Sequence, residues 1–292
     1  MTEEELQQAR ASKWRLDGHP VRTLDDARAF FDSVGFCLMY PARPSLLMPT
    51  FIGAWVGEND RLPLQHHAYS DPRAKEAMEL MVRGLRAKAA FEAPLVDENN
   101  PFLVSAAAFP FFYALVGERN PKVPPKAGPR SEYSELACDA FDAVRKNGPV
   151  SKRKLGEILG RGLSSAGLDR ALGELWAKLR ITRVDYSEED GSVWDEMTRW
   201  APDKVWEGIS ASMAQSLSAL LSKYMDCVVG AEQEEVEGFF SIFVSRSKVR
   251  DAIKALLAAR EFSFVRSGNR SLLQIAPRRE PFVLRPRAER AR

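Results

Sequence analysis

Apolar residues recur with two periods along the chain, and the order of those periods repeats. Leu136, Ala140, Phe141 and Val144 are spaced for one face of a helix, which Asn147-Gly148-Pro149 ends. Ser151 is placed to cap a short helix with Leu155, Ile158 and Leu159 on its apolar side. Ser164 or Ser165 opens a third, with Leu168, Ala171, Leu172, Leu175 and Leu179 inward. The pattern then turns to β-formers in rough alternation, Ile181 to Tyr186 and Val193 to Trp200, around Glu189-Asp190-Gly191. Asp-Gly between such runs is a hairpin signal. Three helices and a hairpin follow one another in a winged helix.

The same order returns further on. Leu217, Leu220, Leu221, Tyr224 and Met225 predict a helix that stops near Gly230, and Val236, Phe239, Phe240 and Phe243 predict a second. Ser245 or Ser247 begins a third, with Val249, Ile253, Leu256 and Leu257 inward. Glu261 to Arg266 and Arg270 to Ile275 then flank Ser267-Gly268-Asn269. The two hairpin turns lie about 78 residues apart, a suitable length for one small module per repeat.

The first 120 residues are less regular. Thr23 caps a helix to Ser33, with Asp26 in capping-box position and Leu24, Ala27, Phe30 and Phe31 inward. Asp71-Pro72 opens a longer helix to about Lys88. Two extended runs, Ala90 to Val96 and Phe102 to Phe109, are joined by Asp97-Glu-Asn-Asn-Pro101. Helices before a hairpin suggest a third, elaborated winged helix. The stretch from Pro41 to Pro63 shows no clear period.

The expected architecture is mainly α with short β-hairpins (α+β), as tandem winged-helix modules. Its segments are an N-terminal domain over 1–120, a Pro/Gly-rich linker over 121–133, winged helices over 134–203 and 204–276, and a basic tail over 277–292. The tail holds Arg278, Arg279, Arg285, Arg287, Arg290 and Arg292 against Glu280 and Glu289. Its balance of +4, in a chain of net charge +2, leaves the remainder at −2. A basic arm on a nearly neutral body suits contact with nucleic acid, and equally a solvated tail.

Composition narrows the classes further. An apolar share of 45% and a charged share of 28% are those of a globular protein. No apolar run reaches the roughly 18 residues that span a bilayer, and the acidic, polar start is unlike a secretory signal, so no membrane partner and a cytoplasmic location are expected. Cys37, Cys138 and Cys227 lie far apart, as core residues rather than zinc ligands, and His66-His67 belongs to no HExxH pattern. Neither a metal nor a cofactor is expected, since GxxxxGK[ST], a placed GxGxxG and GxSxG are all missing from the sequence.

Candidate contacts with double-stranded DNA follow from the module order, because a winged helix reads the groove with its third helix and touches the backbone with its wing. Arg246, Arg250 and Lys254 fall at i, i+4 and i+8, opposite Val249, Ile253 and Leu256. Lys248 adds charge, and Arg266 and Arg270 flank the wing turn. In the second module Lys152, Arg153 and Lys154 cluster at a helix start. Its wing, however, carries Asp185, Glu188, Glu189 and Asp190, which would repel a duplex and should face solvent or a protein partner.

The layout resembles the AlkZ-type (YcaQ-like) DNA glycosylases. The likeness rests on the Thr23-Leu-Asp-Asp-Ala-Arg28 helix, Val34-Gly35-Phe36, and the modules ending in two hairpins. It implies tandem winged helices that excise alkylated or crosslinked bases, with a Gln-x-Gln or Gln-x-Asp site just after the first helix. The matching stretch here is Gly35-Phe-Cys-Leu-Met-Tyr40, and residues 36 to 40 include no Gln, Asp or Glu. Glycosidic hydrolysis needs a group that stabilises the oxocarbenium ion and orients water. Gln65, Asp71 and Glu92 are the replacements if the fold brings them together. The reading is a DNA-binding relative without the usual catalytic residues. A glycosylase with a relocated catalytic group and a protein-interaction scaffold are the alternatives.

Overall fold

A computed structural model describes residues 2–42, 45–95, 100–160, 162–187 and 189–277. The basic tail from Arg278 onward and Glu188 of the second wing lie outside the described residues.

Helix α1 (Glu3–Lys13) precedes the first module and is closed by a Thr2/Glu5 capping box. The module itself runs α2 (Leu24–Val34), β1 (Phe36–Leu38), α3 (Phe51–Val56), α4 (Pro72–Arg86), β2 (Ala90–Ala93) and β3 (Phe102–Ser105). Thr23 and Asp26 form the capping box that the sequence predicts. The strands make an antiparallel sheet ordered β1-β3-β2. Helix α3 falls in the stretch without a clear period, where Thr50 caps it and five of its six residues are buried. The second extended run is shorter than expected. It ends at Ser105, and Phe109 starts α5 (Phe109–Val116), because Pro110 is admissible in a first helical turn.

The second module runs α6 (Glu135–Asn147), β4 (Val150–Ser151), α7 (Lys152–Leu159), α8 (Ser165–Trp176), β5 (Ile181–Ser187) and β6 (Gly191–Glu196), with sheet order β4-β6-β5. The run to Trp200 is also shorter than expected, since Met197–Trp200 turns into α9. Pro202, next to the boundary expected between 203 and 204, opens α10 (Pro202–Ser210), which packs on α5. Gly208 permits that approach: a Cβ there would sit 2.7 Å from the Pro110 carbonyl. The third module follows as α11 (Met213–Val228), α12 (Gln233–Phe240), α13 (Arg246–Ala258), β7 (Phe262–Ser267) and β8 (Arg270–Ile275). Ala231 bridges Leu273 in place of a third strand.

Three structural units share one interior. Rings of Phe102 from β3, Phe112 from α5, and Phe239 and Phe243 from the third module lie 5.0–6.3 Å apart. The Pro/Gly-rich stretch is pinned as well, as Arg180 donates to the Pro121 and Val123 carbonyls and pairs with Glu118. Helix α1 is tied to α11 by Arg10, which donates to the carbonyls of Val228 and Gly230, and by Lys13 on Asp226. Among the described residues no helix is long and apolar enough to cross a membrane.

Candidate nucleic-acid interface and the inter-module cleft

The second wing does not stand clear of the body, contrary to the expectation from its carboxylates. Its strand β5 packs on α4 and β2 of the first module. Asp185 accepts two hydrogen bonds from the Arg86 guanidinium, at 2.8 and 2.7 Å. Asp190 is held by Arg153 at 2.5 Å. Each acid meets a cation of its own chain, so the repulsion anticipated from the sequence is already offset. Glu189 alone of the three described acids is exposed.

This docking encloses a cleft of about 530 Å³ between the first and second modules. Tyr40 and Gln65 line it from one side, Lys152, Asp169 and Trp176 from the other, with Arg183, Tyr186 and Trp194 from the wing and Tyr69 also in the lining. Tyr40 follows β1 and its backbone is clamped by buried Asn100. The Tyr40 N–H donates to Asn100 Oδ1 at 3.0 Å, and Asn100 Nδ2 donates to the Tyr40 carbonyl at 2.9 Å. Burial, with Tyr69 and Asp71 nearby, pushes the Tyr40 phenol up to about 12, so it stays protonated at neutral pH.

Behind the cleft lies a buried ionic cluster. Glu92 is fully buried in β2; its Oε1 accepts from Arg183 Nη1 at 2.8 Å and its Oε2 from the Tyr186 hydroxyl at 2.6 Å. The same Arg183 nitrogen lies 3.2 Å from the Tyr186 oxygen. Burial pushes the Glu92 carboxyl up, while Arg183 and the hydrogen bonds oppose that rise. The Arg183 guanidinium also stands 4.2 Å from the centre of the Trp176 ring and 5.0 Å from that of Trp194. The two indoles meet edge to face at 5.6 Å. Among the described residues, the Tyr40 hydroxyl and both indole N–H groups have no hydrogen-bond partner.

The three replacement candidates have different fates. Gln65 opens a short 3₁₀ turn and lines the cleft. Asp71 caps α4 and receives Arg73, whose hydrogen bonds hold its carboxyl below the usual range. Glu92 is committed to Arg183 and Tyr186. The fold therefore leaves Gln65 as the candidate lining the cleft and spends the two carboxylates on structure.

The candidate DNA contacts divide in a similar way. Arg246 and Arg250, expected on an open cationic face, both close on the buried carboxylate of Glu237 at 2.9 Å. Arg270 pairs with Glu3 of α1, Lys152 with Asp169, and Lys154 and Arg153 with Glu157. Lys248, Lys254 and Arg266 are exposed and make no ion pair among the described residues. Lys248 Nζ instead approaches the Met213 sulfur at 3.6 Å. Sequence reasoning missed Tyr69, Trp176, Arg183, Tyr186 and Trp194. The usable signal was a lone arginine in the first wing strand and a tryptophan in the second; that the two face each other follows only from the register of the folded hairpin.

No family model matches the chain, and no curated protein matches it. Among solved structures it is similar to the Streptomyces sahachiroi DNA glycosylase AlkZ, with a TM-score of 0.59 at 9% identity, covering 94% of this chain and 70% of that one. The likeness is one of fold: the chain adopts the AlkZ-type arrangement that its order of elements implies.

Proposed function

We propose that this protein binds double-stranded DNA without excising bases, through Lys248, Lys254 and Arg266 of the third module and the arginine-rich tail. The observation that carries this reading is how the charges are spent. Six of the nine candidate cations close on carboxylates of the chain, and the remaining three all belong to one module's third helix and wing. Exposed cations without an internal carboxylate are the groups able to replace counterions on phosphate. The fold shared with a DNA glycosylase supports the choice of DNA over a protein partner. The absence of base excision rests on the cleft, where the lining carboxylate, Asp169, is held by Lys152 at 2.6 Å.

The test is incubation with a duplex carrying one alkylated base, scored for binding and for alkali-labile strand breaks. Binding without breaks is expected. Breaks that vanish in Gln65→Ala would favour instead a glycosylase with a relocated polar group, the reading that Gln65 in the cleft lining supports.

A further inference from the structure

Three buried side-chain groups at the cleft can donate a hydrogen bond and make none among the described residues. Tyr40 is fully buried, and Trp176 and Trp194 are each 3% exposed, yet the hydroxyl and both indole N–H groups lack partners among the described residues. An indole N–H can only donate. Buried donors left unpaired are costly, and three gathered around one cavity mark a place where an acceptor belongs.

The charges around the cavity decide what kind of acceptor. Both of its cations are already matched, Arg183 by Glu92 and Lys152 by Asp169, at 2.8 and 2.6 Å. An anion would find no uncompensated positive charge. A cation would find no uncompensated negative charge either, since Asp169, the carboxylate in the lining, is held by Lys152 and the buried Glu92 by Arg183. Five of the remaining side chains are aromatic, Tyr40, Tyr69, Trp176, Tyr186 and Trp194, beside the uncharged Gln65 and Ser192, and Tyr69 is 65% exposed. A volume of about 530 Å³ lies within the range of small-molecule sites.

From this we infer that the cleft receives one flat, uncharged ring whose edge bears hydrogen-bond acceptors, and rejects a cationic ring. An unpaired nucleobase and a free nucleoside both present such an edge. The inference deepens the DNA-binding reading and rests on it only for the first of these sources. Aromatic walls supply stacking and exclude water, and the three donors select carbonyl or ring-nitrogen acceptors.

Three probes separate the outcomes: a fully paired duplex, the same duplex with one bulged uracil, and the same duplex with a bulged 1-methyladenine, a cation at neutral pH. Free uridine is titrated alongside by tryptophan fluorescence. Binding of the bulged uracil roughly tenfold tighter than the paired duplex is expected, with the cationic bulge no better than the paired one. Tyr40→Phe, which keeps the ring and removes one donor, should erase most of the gain. Uridine quenching without a bulge preference would support the ring site and assign it to free nucleosides. Equal binding of all three duplexes with no response to uridine would overturn the inference and leave the DNA reading standing. Absence of binding to any duplex would overturn the DNA reading, and the uridine titration would still decide the cleft. A cationic bulge bound as well as uracil would overturn the claimed selectivity.

Discussion

Glu92 shows how strongly position governs what a residue can do. From the sequence it is a carboxylate available for catalysis; in the fold it is fully buried and joined to two groups of another module. A buried charge survives only when paired, and removing one partner leaves the other stranded. Glu92→Gln should therefore lower unfolding stability by about 3 kcal/mol in urea denaturation, because neutral Gln removes the buried charge that faces Arg183 and accepts from Tyr186. Replacing Glu92 and Arg183 together by Met should recover much of that loss, since the pair then disappears as a unit. A loss below about 1 kcal/mol for Glu92→Gln would contradict the account. Tyr40 is the converse case. The resemblance makes it the last residue of the stretch that matches the catalytic site of AlkZ-type proteins, and the structure gives it a rigid backbone and a neutral hydroxyl at the cleft.

At the scale of elements, the junction of α12 and α13 carries a pH signature. Hydrogen bonds from Arg250, Gln233 and Arg246 lower the Glu237 carboxyl to about 2, against burial that would raise it. The folded value is below the unfolded one, so the contribution is present above about pH 5 and is lost as pH falls towards about 2. Glu237→Gln should accordingly flatten the acid side of the stability curve by up to about one proton between those limits, as denaturant midpoints across pH would register. An unaltered slope would mean that Glu237 is not linked to folding. Helices with periodic apolar faces and caps were legible in the sequence, as Thr23, Ser151 and Ser164 show. The wing register was not. Counting back from Gly191 would set Val184 opposite Trp194, but a shift between Arg183 and Asp185 sets Arg183 there instead. Such an irregularity re-aims a side chain and leaves no periodic trace. Helix α3 was hidden for a related reason: its run of buried residues lacks the polar face that marks a helix in sequence.

At the scale of the whole molecule, the modules are not beads on a linker. Aromatic rings of the first and third modules meet in one core, and the second module's wing is fastened to the first by Arg86 and Glu92. Long-range pairings of this kind connect residues about a hundred positions apart, and no local pattern encodes them. The same assembly converts most of the chain's candidate phosphate contacts into internal ion pairs. On the proposed reading, the charge left for a duplex is that of Lys248, Lys254, Arg266 and the tail. The most direct test of that reading is anisotropy of a labelled duplex over a salt series, comparing the wild-type chain with a Lys248→Ala/Lys254→Ala/Arg266→Ala variant. Wild-type affinity is expected to fall linearly on a double-logarithmic plot, with a slope about 2 to 3 shallower in the variant. An identical slope, or no binding by the wild type at low salt, would contradict the reading.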